Sequence, residues 1–504
     1  MALAPTAPVV PDHPLIYEIN TWVWLGELSR EAGARVDLGT VAPAAWDAIA
    51  ALGFDAVWLM GVWERSPAGL AVARANPDLA ASWQRVLGEV GPGDVAGSPY
   101  CVRRYEVDEH LGGAAGLAGA RAQLARRGIA LLLDFVPNHV APDHPWVSEH
   151  PEYLVTGTPA DLAADPASFI RVGETVAALG RDPYFPAWPD VIQLDAFAPA
   201  LRAAAADTVT AIAQQCDGVR CDMAILALTD VFARTWGDRV GAPPATQYWA
   251  ELVAAVRARH PAFRFVAEAY WDREWDLQQL GFDWCYDKRL CDRLVSGPAA
   301  AVRDHLGAGL SYQQRLVRFL ENHDEPRAAA TFPPDRHRAA AVAAFTLPGA
   351  RLFFEGQLEG RTVQLPVFLA RRPDEPADAG LHAFYLRLLE ALRDATLRTG
   401  AWELCPVEGW PGDDSCADLV SWCWDGDPRW LVVVNLGAST ARGHLAVPWP
   451  DVAGRDWHLD DPTTGTSFVR AGDDLATALY VELEPWSWHL LRVIPAEPGP
   501  LEDE

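Results

Sequence analysis

The stretch CDGVRCDMAIL, residues 216–226, sets an arginine and an aspartate two positions apart inside a run of small and apolar residues. Gly218 to Ala224 has the length and apolarity of a short buried strand. Side chains alternate between the faces of a strand, so Arg220 and Asp222 point the same way. Ionised groups are rarely buried unless they are paired or held for a purpose. An arginine beside an aspartate keeps that carboxylate ionised and oriented at neutral pH. The same design, an apolar strand ending in chemistry-bearing residues, recurs along the chain.

Working outward, the apolar runs are LIYEIN (15–20), FDAVWLM (54–60), IALLLDF (129–135), DGVRCD (217–222), FRFVAEAY (263–270), FDWCYD (282–287), LVRFLENHD (316–324) and ARLFFEG (350–356). Helix-like segments lie between them, among them 43–52, 114–127, 200–215, 246–259 and 335–346. Eight strands alternating with helices predict an α/β chain built as a parallel (β/α)8 TIM barrel. A doubly wound sheet alternates too, but gives no reason for acidic residues at strand end after strand end. Two connections, 61–112 and 140–199, exceed the usual two to six residues and read as functional loops or an inserted subdomain. Beyond residue 397, DLVSWCWD, RWLVVVNL, GHLAVPW and SWHLLRVI alternate or run apolar over strand lengths, which predicts a C-terminal antiparallel β domain. The expected bounds are 1–139 for the first part of the barrel, 140–199 for the insertion, 200–397 for the second part, 398–496 for the β domain and 497–504 for a polar tail.

Composition narrows the partners. With 41 Lys and Arg against 68 Asp and Glu, the formal charge is −27. Such a surface repels phosphate backbones and anionic lipid, so neither nucleic acid nor a membrane is an expected partner, whereas a neutral small molecule is not repelled. MALAPTAPVVPDHP (1–14) has no basic or apolar leader pattern, and no run of about 18 apolar residues suggests a membrane span. Eight scattered cysteines form no CxxC pair, which fits reduced thiols and a cytoplasmic location. The oligomeric state is not readable from the sequence.

In barrel enzymes chemistry sits where strands end and loops begin. Read in order, the strand ends carry Asp134 to His139, then Arg220 and Asp222, then Glu268, then His323 and Asp324. Four acids, two histidines and an arginine on one rim suit glycoside cleavage, in which one carboxylate attacks the anomeric carbon and a second carboxyl group protonates the leaving oxygen. DFVPNH (134–139), GVRCD (218–222), AEAYW (267–271) and ENHDE (321–325) resemble, in order, the four sequence regions of the α-amylase family of retaining glycoside hydrolases. SPYCVRRY (98–105) is similar to that family's segment bearing a sugar-stacking tyrosine, and VIQLDAF (191–197) resembles a fifth region.

The resemblance, over roughly residues 14 to 395, implies a nucleophile at Asp222, a general acid then base at Glu268, and a hydroxyl-gripping carboxylate at Asp324. It implies substrate contacts from Tyr100, His139 and His323, with Arg220 beneath the nucleophile and Asp134 organising the floor. The partner it implies is a small-molecule carbohydrate: the expected activity is retaining hydrolysis of α-glucosidic bonds in short α-glucans or small α-glucosides. A transglycosylase of the same superfamily and a non-catalytic sugar-binding barrel are the alternatives. Where many members carry a lysine-histidine pair after the nucleophile, this chain has Met223-Ala224-Ile225-Leu226, and FFEGQLEGR (353–361) replaces the usual segment after strand eight. No cofactor is expected. For calcium, only Asn138 matches a family ligand position, and calcium takes six to eight oxygens, so no metal site is expected. Among the 22 tryptophans, Trp22, Trp24, Trp58 and Trp63 lie near strand ends, while Tyr184, Phe185 and Trp188 of the insertion are further candidates for sugar contact.

Overall fold

The computed structural model describes residues 10–496; the polar tail expected at 497–504, like residues 1–9 of the N-terminal stretch read for a leader, lies outside them. Eight parallel strands form a closed barrel: β1 (Leu15–Asn20), β2 (Ala56–Met60), β3 (Ala130–Phe135), β4 (Gly218–Cys221), β5 (Arg264–Ala267), β6 (Trp284–Tyr286), β7 (Leu316–Arg318) and β8 (Ala350–Phe354). Each strand neighbours its sequence successor, and β8 neighbours β1. All eight fall within the apolar runs read from the sequence. The fold is the expected (β/α)8 barrel with an inserted segment and an antiparallel C-terminal region.

Helices occupy the predicted intervals as Pro43–Ala51, Gly113–Ala125, Pro199–Ile212, Tyr248–Arg259 and Pro334–Phe345. Three of these begin at proline, whose fixed φ suits a first turn and whose missing N–H would have had no helical partner there.

The described residues group into two compact units. The first is built on Ile16–Tyr286 with Val363–Asp374. Its core packs Val57, Leu59, Leu131, Leu133, Val219, Cys221, Phe265 and Ala267 against residues of the surrounding helices, such as Trp46, Leu117 and Trp249. These are the outward-facing alternates of β2 to β5, so the intervening residues point to the barrel interior. After β3, a four-stranded antiparallel sheet runs in the order His139–Val140, Trp188–Gln193, Thr175–Gly180, Phe169–Val172. The 61–112 connection folds back through a two-stranded ribbon, Trp63–Arg65 with Val102–Val107.

The second unit holds Pro11–Leu15, Asp287–Thr362 and the chain from Glu375. Its C-terminal part is a six-stranded antiparallel sheet (Ala401–Leu404, Leu419–Asp425, Arg429–Asn435, Trp488–Pro495, Asp456–Asp460, Ser467–Ala471) and a three-stranded one (Val407–Glu408, Ala441–Leu445, Leu479–Leu483). Leu419, Leu431, Val433, Trp449, Trp457 and Leu491 fill the core of this region.

Candidate active site

Strand register assembles the centre of the site. On neighbouring strands Cys221 of β4 pairs with Ala267 of β5, so the next residues along, Asp222 and Glu268, leave the barrel rim side by side. The Glu268 N–H donates to the Cys221 carbonyl at 3.1 Å, and the Asp222 N–H to the Phe135 carbonyl of β3 at 2.8 Å. These backbone bonds pin both carboxylates to sheet positions rather than to free loops.

Arg220 lies beneath them, 1% exposed and in register with Asp134 on β3. Its Nη1 donates to Asp222 Oδ1 at 2.5 Å. Its Nη2 lies 2.8 Å from Glu268 Oε2, an ion contact rather than an aligned hydrogen bond. Nε donates to the Tyr286 hydroxyl at 3.4 Å. The guanidinium carbon sits 5.3, 5.2 and 5.7 Å from the ring centroids of Trp58, Tyr100 and Tyr286, within the range of cation–π attraction. One buried cation thus serves two acids. Burial alone would weaken its charge, but Glu268, Tyr100, Tyr286 and Asp222 together hold the guanidinium protonated well beyond the ordinary arginine range.

Glu268, also buried, accepts from the Met223 N–H at 2.6 Å and from the Tyr270 hydroxyl at 3.0 Å. To make the first bond, Met223 adopts a left-handed conformation, φ 41° and ψ 47°, which a non-glycine residue holds only where its surroundings over-determine it. Trp271 and Asp272, three and four residues beyond Glu268, are also left-handed, with φ 62° and 60°. Positive-φ residues therefore flank both acids.

Asp134 does structural work. Its Oδ1 accepts from Trp58 Nε1 at 3.2 Å, its Oδ2 from the Gly61 N–H at 2.8 Å, and its carbonyl from Trp63 Nε1 at 2.7 Å. Gly61 turns its N–H to the carboxylate at φ 75°, where a Cβ would meet Pro99 at 2.8 Å. Trp58 and Trp63 are consequently buried braces of Asp134, and Trp22 stacks on His110 with centroids 4.5 Å apart. His139 is buried edge-on against Trp188 at 5.3 Å. Burial lowers its pKa, against the opposing pull of Asp222, so the ring is neutral at pH 7. Of the insertion's aromatics, Tyr184 and Phe185 are exposed.

Asn138, the position read for calcium, is bound up elsewhere: Gln193 Nε2 donates to its Oδ1 and to its carbonyl, both at 2.9 Å. Ala224 to Ala227 form a buried 3-10 turn that presents no polar side chain. Among the described residues no group of three or more His, Cys, Asp and Glu is arranged to hold a metal ion, and no helix is long and apolar enough to cross a membrane.

In the second unit the loop after β7 is braced from within. The Asn322 side chain accepts from the N–H groups of Asp324 and Glu325, both at 2.9 Å. His323 Nε2 lies 2.9 Å from Asp324 Oδ2, with the histidine side chain buried and the aspartate 41% exposed. Glu321 accepts from Arg327 at 2.7 Å and from the Ala328 N–H at 2.6 Å. Asp324 is thereby offered to solvent on a stiff turn.

Three groups escaped the sequence reading. Tyr270 and Tyr286 sit at strand ends beside residues that were read, and a tyrosine there is a detectable signal. Gln193 was legible only as part of VIQLDAF, because its partner Asn138 is 55 residues away.

No family model matches the chain. Over 279 residues it is 28% identical to the α-amylase MalA of Haloarcula japonica, covering 53% of this chain and 36% of that protein. Over 232 residues it is 29% identical to the α-1,4-glucan:maltose-1-phosphate maltosyltransferase of Rhodospirillum rubrum, covering 44% and 27%. The matches thus span about a third of the length of these curated relatives. A crystal structure of a noncanonic maltogenic α-amylase, AmyB from Thermotoga neapolitana, superposes with a TM-score of 0.67 at 18% identity, covering 96% of this chain and 99% of that one. The fold is that of the α-amylase family. Within that α-amylase fold, the residues quoted from the sequence as Arg220, Asp222 and Glu268 form one contiguous cluster, with Asp134, Tyr100 and His139 around it.

Proposed function

We propose that this chain is a retaining α-glycosidase acting on α-glucosidic bonds of short α-glucans or small α-glucosides. The observation that carries the reading is the single buried guanidinium of Arg220 reaching both Asp222 and Glu268. Two carboxyl groups held within the span of one guanidinium support direct attack on the sugar without an intervening water, as a retaining mechanism requires.

In the first step an Asp222 oxygen bonds to the anomeric carbon while the glycosidic C–O bond breaks and Glu268 gives its proton to the leaving oxygen. In the second, the Glu268 carboxylate takes a proton from water, whose oxygen displaces Asp222 from the anomeric carbon. Tyr270 suits both steps, since its hydroxyl donates to the ionised Glu268 and accepts from the neutral acid. His139, held neutral by burial, and His323, with Asp324 and Tyr100, take the sugar hydroxyls and ring; the parts of His323 and Asp324 rest on the sequence resemblance. Asp134 holds the floor through Trp58 and Gly61.

A second reading is transfer of the glycosyl group to a sugar hydroxyl or phosphate instead of water. The similarity to a maltosyltransferase favours it, as does the apolar turn that replaces the lysine-histidine pair. Incubation with a panel of α-linked di- and oligosaccharides, with and without acceptors, and with products resolved by size and anomeric form, separates the two. Hydrolysis gives the α-anomer first; a β-anomer first would refute retention. Asp222→Asn is expected to cost at least ~10³-fold in kcat with the fold intact, and activity within about tenfold of the parent would refute the assignment.

A further inference from the structure

We infer that the site is walled off where the non-reducing end of a substrate points, so that this chain attacks α-glucans from that end and releases one or two sugars at a time. The chemistry in this inference rests on the functional reading above; the wall is read from packing alone. Glu268 serves the leaving group, so the departing part of a substrate lies toward β5 and the sugar that bonds to Asp222 points the other way. In the closed ring of eight strands the position opposite β5 is β1, with β2 beside it. The strap Val363–Asp374, which follows β8 in the chain, belongs to the same compact unit as Asp222 and Glu268. It is fastened to the segments that follow β1 and β2.

The connection after β2 forms two helices, Pro67–Ala75 and Pro77–Leu87, joined at Asn76, whose side chain caps the second. Between them and the strap lies a separate apolar cluster: Ala73, Trp83, Val95 and Leu369 are buried, with Leu70 and Phe368 packed against them. The Trp83 and Phe368 ring centroids are 5.8 Å apart. Val95 bridges Leu369 in antiparallel fashion, with the Ala96 N–H donating to the Phe368 carbonyl and the Ala370 N–H to the Asp94 carbonyl, both at 2.8 Å. Arg371 donates to Asp94 Oδ1 at 2.6 Å and to the Glu89 carbonyl at 2.7 Å. On the β1 side, Arg372 donates to Glu27 Oε2 at 2.7 Å, and a Cβ added at Gly26 would lie 3.1 Å from the Ala370 carbonyl. Gly26 and Glu27 belong to the helix Thr21–Ala32, which follows β1 directly. A core of its own, paired backbone and two charge-assisted pins make the strap a fixed wall.

The wall stands close to the reacting centre. Buried Arg65 donates to the Gly97 carbonyl at 2.6 Å, and Tyr100, a little further along the same segment, has its ring centroid 5.2 Å from the Arg220 guanidinium carbon. Ala96, bonded to the strap, is four residues from Tyr100, so the two lie within roughly 14 Å of each other. The leaving-group side is different. Tyr184 and Phe185 keep 58% and 68% of their surface in solvent, and the Tyr184 ring lies 4.8 Å from that of Trp271, three residues beyond Glu268. One end of the site is thus pinned shut and the other left open. That is the shape of a pocket entered by a chain end, whereas attack on a chain interior needs a groove open at both ends.

The test uses the full chain and compares nitrophenyl α-maltoheptaoside with the same compound capped by an ethylidene group at its non-reducing end, with products resolved by size. Glucose or maltose is expected as the first small product of the free substrate, and the capped one should react at least about 50-fold more slowly. Comparable rates on both, or longer fragments first, would overturn the proposal. Phe368→Ser/Leu369→Ser undocks the strap and should raise the rate on the capped substrate about tenfold or more, while hydrolysis of nitrophenyl α-maltoside stays within about threefold of the parent. Arg371→Gln/Arg372→Gln removes only the ionic pins and should act in the same direction, which covers the case of a serine variant that fails to fold. Folded variants that reject the capped substrate as the parent does would overturn the assignment of the block to the strap. A parent that turns over neither substrate would refute the functional reading instead, and calorimetry with free and capped maltotriose then decides the wall. The free trisaccharide should bind at least about tenfold more tightly; equal binding, or binding of neither, would overturn the proposal.

Discussion

Replacing Arg220 by methionine tests the centre of the site most directly. The side chain is fully buried, contacts two buried carboxylates and lies among three aromatic rings. Methionine fills much of the same volume, so the loss is electrostatic rather than a cavity. Removing one partner from a buried ion pair typically costs about 3–5 kcal/mol, because the remaining charge is left without compensation. Asp222 is abandoned here, and so is Glu268 whenever it is ionised, when the two also repel each other. For a chain of 504 residues, in which about 1 kcal/mol shifts Tm by roughly 1 °C, that corresponds to a drop in Tm of roughly 3–10 °C. The sign of its pH dependence follows: acidification neutralises the abandoned carboxyls, so the gap between variant and parent narrows as pH falls and widens as it rises. Activity should fall at least ~10²-fold, as for loss of a preorganised charge at a reacting centre. Arg220→Lys should lie between, since one ammonium cannot present two nitrogens in a fixed fork. Scanning calorimetry from pH 5 to 8 with parallel kinetics provides the measurement. A methionine variant melting within about 1 °C of the parent, or keeping activity within about tenfold, would refute the bridging role.

Tyr270→Phe removes one hydrogen bond to Glu268 and should lower kcat about 3- to 10-fold while shifting the pH–rate profile; an unchanged profile would argue that the contact is merely structural. Buried His337, beside the Tyr385 hydroxyl at 2.8 Å, has its pKa lowered from 6.5 to about 4 by burial. The unfolded chain therefore binds the proton first, and the stability His337 contributes is present above pH 6.5 and lost as pH falls toward 4. His337→Gln should flatten the dependence of Tm on pH in that window, and an unaltered slope would count against it. A chelator should leave activity and Tm unchanged, because Asn138 is spent on Gln193 and the turn after Asp222 offers no side-chain ligand. A fall of several degrees restored by calcium would reveal a site elsewhere.

The eight strands were legible because each is an apolar run of strand length, and the helices because helix-like segments fill the intervals between those runs. Arg220 and Asp222 were legible as a pair because period-two alternation is a local rule. Glu268 as the second partner of Arg220 was not, because it depends on the register of β4 against β5, which only the assembled barrel sets. Trp58 and Trp63 were misplaced for the same reason. Near strand ends an indole suits a sugar cleft, yet here both N–H groups are turned inward onto Asp134.

The shared arginine also bears on how the site would work electrostatically. With both acids ionised, the trio of Arg220, Asp222 and Glu268 carries one net negative charge; once Glu268 is protonated it carries none. Under the proposed mechanism an oxocarbenium-like transition state would develop positive charge on the sugar just as Glu268 gave up its proton, so the trio would become negative as the sugar became positive. In that mechanism the charge would arise on groups already fixed by backbone bonds to β3, β4 and the turn at Met223. Little reorganisation is then required during reaction, which is the condition under which buried charges lower a barrier rather than merely bind. An arginine serving Asp222 alone would leave Glu268 to change charge without a compensating neighbour in a dry site, and the acid step would then meet the full penalty of burying an isolated carboxylate.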